Sequence, residues 1–113
     1  MSPQIEDVQV TELSHFVAEH PGSVLLDVRE PWEVELASIA PEGARVVAIP
    51  MNEIPRQLDT LRGDHAIVCM CHHGMRSAHV ARYLIQAGFS NVVNLSGGID
   101  AWSIRVDEQV PRY

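Results

Sequence analysis

Four short apolar runs rich in β-branched residues recur along the chain: "VLLDV" (24–28), "RVVAI" (45–49), "AIVCM" (66–70) and "NVVNL" (91–95). Each is bounded by Gly, Pro, Asp or Asn, and segments with helical spacing lie between them. Runs this short and this uniformly apolar read as strands buried on both faces. Their alternation with helices demands crossover connections, and so a parallel sheet covered on both sides. "IEDVQV" (5–10) alternates instead, which predicts a fifth strand at an edge.

The intervening helices have recognisable ends. "TELSHFVAEHPG" (11–22) is expected to open on a capping Thr11 and to close at Pro21 and Gly22, and "NEIPRQLDTLRG" (52–63) to open on Asn52 and stop at Gly63. In "SAHVARYLIQAG" (77–88), Val80, Ala81, Leu84 and Ile85 fall on one stripe and Gly88 stands as the C-terminal cap. "PWEVELA" and "GIDAWSI" predict two shorter helices. With 113 residues and no repeat, low-complexity tract or linker, residues 1–113 read as a single α/β domain.

In such sheets ligands sit beyond the carboxyl ends of the strands. For the run 66–70 that place is "CHHGMRS" (71–77). A strand ending at Met70, a loop from Cys71 to Arg76 and a helix beginning near Ser77 would aim several backbone N–H groups at one point, where Cys71 lies. Helix-terminal amides and a nearby cation favour a thiolate over a thiol, which makes such a cysteine a nucleophile at neutral pH. Gly74 permits a tight turn, Arg76 offers a forked donor to an oxyanion, and Ser77 caps the helix or bonds to the sulfur. The plain alternative is a small buried cysteine beside a glycine turn. Cys69, inside the strand, reads as a buried inert thiol rather than a resolving partner, because a Cys-x-Cys disulfide would be strained.

His72, His73, His79 and the two cysteines also suggest a metal site. Zinc patterns use Cys-x-x-Cys or separated ligand pairs, whereas adjacent His72 and His73 are expected to project in different directions. No metal and no cofactor are therefore expected. His79 reads as a polar group beside the loop, and His15, His20 and His65 as solvated.

Charge narrows the partners. Fifteen acidic residues face eight arginines and no lysine, for a formal net charge of −7. Nucleic acid and anionic membrane are poor partners for such a chain, and an anion site has to be made locally from amides and a few arginines. No window approaches the about 18 apolar residues of a membrane span, and the first residues lack a signal-like pattern. A cytoplasmic protein with reduced thiols is the expectation.

At the Cys71 loop the sequence resembles the rhodanese family. The segments "LLDVREPWE" (25–33), "CHHGMRS" (71–77), "SAHVARYLIQAGFSNVVNLSGG" (77–98) and "GGIDAW" (97–102) match its motifs in order and spacing. The resemblance implies a three-layer α/β/α fold whose five-stranded parallel sheet runs in order 3-2-4-5-1. It also implies a sulfurtransferase: Cys71 would take the sulfane sulfur of a donor such as thiosulfate as a persulfide and pass it to cyanide, a thiol or a sulfur-accepting protein. His72, His73, Gly74, Met75, Arg76 and Ser77 would line the site, their amides stabilising the outer sulfur and Arg76 holding the donor's anionic end. Asp27 and Arg29 would support the loop or form a structural ion pair. Trp102 reads as packing, and Gly97 and Gly98 as the turn into the last helix.

Two features qualify the resemblance. Where many relatives read Gly-His-Ile-Pro-Gly-Ala, this chain has "ASIAPEGARVVAIP" (37–50), with Ala37 and Ser38 at the Gly-His positions, which is expected to change a surface loop and the rim of the site. Phosphatases of the cell-cycle type and arsenate reductases use Cys-x5-Arg around a tetrahedral oxyanion, whereas Cys71 and Arg76 are separated by four residues. The smaller bowl suits a sulfur atom. A sulfur carrier or docking module without turnover of free thiosulfate is the remaining alternative.

Overall fold

A computed structural model describes residues 5–113; residues 1–4 of the expected single domain lie outside the described residues. Five parallel strands form one sheet: β1 (Glu6–Gln9), β2 (Val24–Asp27), β3 (Arg45–Ala48), β4 (Ile67–Met70) and β5 (Val92–Ser96). Their order is β1-β5-β4-β2-β3, the expected 3-2-4-5-1 read from the other edge. The helices are α1 (Leu13–Glu19), α2 (Pro31–Leu36), α3 (Leu58–Leu61), α4 (Met75–Gln86) and α5 (Gly98–Arg105).

The two-residue period of the strands divides the core into two layers. Leu25, Val68, Met70, Val93 and Leu95 meet Leu13 and Val17 of α1 and Ile99 and Trp102 of α5. On the other face Leu26, Ile67, Cys69 and Val92 meet Ile54, Leu61 of α3, and Val80, Ala81 and Leu84 of α4. The apolar stripe of α4 lies on this second layer. Its C-terminus is closed as expected: Gly88 has φ +99°, its N–H donates to the Ile85 carbonyl (3.1 Å), and Phe89 N–H donates to Leu84 (3.0 Å).

Several local expectations are corrected. β3 is an edge strand whose residues are exposed or half-buried, not buried on both faces, because only β2 pairs with it. Thr11 is not a helix cap. Gln9 precedes a 3-10 turn (Val10–Glu12), where the Glu12 carboxylate accepts the Gln9 N–H, and α1 starts only at Leu13. The segment after Asn52 is 3-10 from Met51 to Gln57, with α-helix only over α3, because Pro55 has no N–H to donate inside the turn. Residues 37–44 do form a loop with Ser38, Ala40, Glu42 and Gly43 exposed, but it is anchored inward: Ile39 enters the first core layer and the Ala37 carbonyl accepts from Arg29 (2.8 Å). Among the described residues, no helix is long and apolar enough to cross a membrane.

Candidate active site

β4 ends at Met70 and delivers Cys71, 1 % exposed, at the carboxyl edge of the sheet between β2 and β5. The loop is shorter than expected. Gly74, at φ +100°, turns the chain so that α4 begins at Met75 rather than near Ser77, and the amides at the sulfur come from the helix's N-cap, Gly74, and its first turn, Ser77. Three donors converge on Cys71 Sγ: the Gly74 N–H at 3.1 Å, the Ser77 N–H at 3.4 Å and the Ser77 hydroxyl at 3.3 Å. Each favours negative charge on sulfur.

The loop's carbonyls are drawn away from the sulfur, leaving the Gly74 and Ser77 N–H groups to face it. The Cys71 carbonyl accepts from Ile99 N–H (3.0 Å) and the His72 carbonyl from Asp100 N–H (3.1 Å), both in the first turn of α5. The backbone of α5 comes so close there that a Cβ on Gly98 would run into both oxygens. Gly98 is therefore needed for more than a turn. The Gly74 carbonyl accepts from Asn94 Nδ2 (3.2 Å), whose second contact is the Asp7 carboxylate at 3.2 Å.

Asp27 and Arg29 form a buried ion pair (2.7 Å) behind the site. Arg29 also donates to the Glu33 and Ala37 carbonyls and to the Tyr113 hydroxyl (3.0 Å), so its five N–H groups are spent on the frame. The Arg76 fork is directed at a carboxylate of the chain itself. Its Nη1 and Nη2 lie 2.6 and 2.8 Å from Glu33 Oε1 and Oε2, and the Tyr113 hydroxyl donates to Oε2 at 2.7 Å. The Arg76 guanidinium, outweighing burial, holds the Glu33 carboxyl down at about 2. Burial pushes the Tyr113 hydroxyl up to about 12, so it remains a donor.

His72 and His73 do not project apart. Their rings stack at 3.9 Å, and Tyr113 covers His72 from the other side, also at 3.9 Å and nearly parallel. His73 approaches Asp100 (3.7 Å), whose two oxygens are held by Arg112 at 2.8 and 3.2 Å. His72, His73 and Asp100 bring three potential ligand atoms within 4.8 Å of one another. With the rings face to face and both Asp100 oxygens on Arg112, the geometry favours a stacked wall over a coordination sphere. Burial and the neighbouring His73 lower the His72 pKa and favour the neutral ring.

Residues 10–105 match the family model described as "Rhodanese-like domain". The chain belongs to the rhodanese-like domain family. It is 36% identical to the chloroplastic rhodanese-like/PpiC domain-containing protein 12 of Arabidopsis thaliana over 96% of its own length, but spans only 38% of that protein. It is 32% identical to a sulfurtransferase of Allochromatium vinosum, covering 88% of this chain and 89% of the other. A crystal structure of a rhodanese-related protein from Thermoplasma volcanium superposes with a TM-score of 0.75 at 31% identity, over 94% of this chain and 95% of that one.

Within this rhodanese-like domain Cys71, Gly74, Arg76 and Ser77 come together, with His72 and His73 as one wall. Met75 points outward, 78% exposed. Asp27 and Arg29 are reached from the loop through Tyr113 and Glu33. Glu33, Asn94, Asp100 and Tyr113 escape sequence reasoning as site residues; only Glu33 has a local signal, three residues after Glu30 in a capping box. Cys69 is fully buried, and burial raises its thiol pKa far above neutrality.

Proposed function

We propose that this protein is a sulfurtransferase that moves a sulfane sulfur through a persulfide on Cys71. The observation that supports it is the convergence of two amides and a hydroxyl on Cys71 Sγ at the carboxyl end of β4. The sulfurtransferase name of a relative matched over most of both chains points the same way.

With thiosulfate as donor, the Cys71 thiolate attacks the outer sulfur. The Sγ–S bond forms, the sulfur–sulfur bond of thiosulfate breaks, and sulfite leaves with the electron pair. The first turn of α4 and the neighbouring amides of residues 72–77 would then donate to the anionic outer sulfur, a preorganised donor set around a buried cysteine. Cyanide takes that sulfur as thiocyanate, or a thiol takes it as a new persulfide, and the Cys71 thiolate returns. Two half-reactions through a covalent intermediate give ping-pong kinetics. No bound cofactor or metal takes part in this scheme. Arg76 orients the donor through the N–H groups that Glu33 leaves free, while Asp27 and Arg29 hold the frame.

The test is thiocyanate formation from thiosulfate and cyanide by the wild-type protein and by Cys71→Ser. Production by the wild type and none above background by the variant is expected. Production that survives the substitution would refute the mechanism.

A further inference from the structure

We infer that Glu33 sets donor specificity: by neutralising Arg76 it turns the site away from small dianions such as thiosulfate and toward organic persulfides with an uncharged body. This rests on the sulfurtransferase reading and adds the class of donor.

The mouth around Cys71 contains arginines but little net positive charge. Among the described residues, each arginine in the network around the loop has a carboxylate partner: Arg76 with Glu33, Arg29 with Asp27, and Arg112 with Asp100. Glu33 is 4 % exposed in its side chain and engaged on both oxygens, so water screens its charge little. Arg76 can still donate a hydrogen bond sideways, but the pair it belongs to has no net charge. Beyond the mouth the formal net charge of −7 repels anions.

The rim has the opposite character. Trp32, 59% exposed, meets Tyr113 edge to face at 6.2 Å; Tyr113 stacks on His72 and His72 on His73. Exposed Met75 follows the loop directly. Rings and a thioether offer contact area to a carbon skeleton rather than a guanidinium to a sulfonate. With an alkyl persulfide, R–S–SH, the Cys71 thiolate attacks the outer sulfur. The Sγ–S bond forms, the sulfur–sulfur bond of the persulfide breaks, and RS⁻ leaves with the pair; the proton stays on the transferred sulfur or is released to solvent. No oxidant or reductant is needed.

The experiment is single-turnover loading of Cys71, read as the mass of one added sulfur, from thiosulfate and from 2-hydroxyethyl persulfide. Wild type and Glu33→Gln are compared across ionic strengths from about 0.02 to about 0.2 M. Glutamine keeps an acceptor for Arg76 and Tyr113 but frees the charge. The ratio of the thiosulfate to the persulfide rate is expected to rise at least about tenfold in Glu33→Gln, a difference of about 1.4 kcal/mol. The wild-type rate with thiosulfate is expected not to fall as salt rises, a result that needs no variant. An unchanged ratio in a folded Glu33→Gln protein, or a wild-type thiosulfate rate that drops steeply with salt, would overturn the inference while leaving the sulfurtransferase reading intact. Absence of loading from both donors would overturn both.

Discussion

Glu33 of α2 and Arg76 of α4, 43 residues apart, meet in a two-pronged ion pair (2.6 and 2.8 Å) that ties the "DVREPWE" segment to the Cys71 loop. Its carboxylate is buried while its guanidinium is about one-third exposed, 4% against 34%. The pair is thus a joint between two motif segments, and losing its charge should be felt at both.

Acid stability is the first place to see it. Glu33 ionises at about 2 in the folded protein, against an ordinary value of 4.5, because Arg76 stabilises its charge. A depressed folded pKa means that stability is fully present above the unfolded value and is lost as pH falls through the folded one. Urea unfolding of the wild type should therefore weaken between pH 4.5 and about 2, and Glu33→Gln should show a shallower decline over that window. Parallel acid limbs in the two proteins would contradict this assignment.

Where α5 meets the loop there is no room for a side chain at Gly98. A methyl group there meets the carbonyl oxygens of Cys71 and His72, at a residue with φ +60°. Gly98→Ala should cost about 3 kcal/mol by denaturant titration. It should also slow sulfur loading more than that loss explains, since the loop has to move. Full loading rate at unchanged stability would show that the approach is not needed.

Asn94 is fixed in one orientation by its neighbours. Gly74 O and Asp7 Oδ1 are both acceptors, so only the amide nitrogen can face them. Asn94→Asp replaces that donor by a third acceptor in a buried place. The expected cost is about 2 kcal/mol at neutral pH, with part of it recovered in acid as the new carboxyl takes a proton. Wild-type stability at neutral pH in this variant would argue that Gly74 is held by other means.

The parts of this design that are local in sequence are legible in it. The apolar run 66–70, the glycine after two loop residues, and the stripe and cap of α4 together locate Cys71 and its amides, because each depends on neighbours within a few positions. The strand order does not follow from local pattern: "RVVAI" is as apolar as the central runs, yet β3 lies at the edge because of which strand it pairs with. Pro55 shows a similar limit, since the apolar spacing around it is compatible with either an α or a 3-10 turn. The wall of the site is least legible. Tyr113 lies 80 residues from Glu33 and 84 from Arg29, and no period or motif connects them. The same holds for Asn94, whose role depends on β5 lying between β1 and β4.

Whether Cys71 carries the transferred sulfur can be read by intact-protein and peptide mass spectrometry after treatment with a sulfane-sulfur donor. One added sulfur is expected, mapped to Cys71 and not to the buried Cys69, removed by cyanide and absent from Cys71→Ser. No added sulfur on the wild type, or an adduct that persists in Cys71→Ser, would contradict sulfur transfer through Cys71.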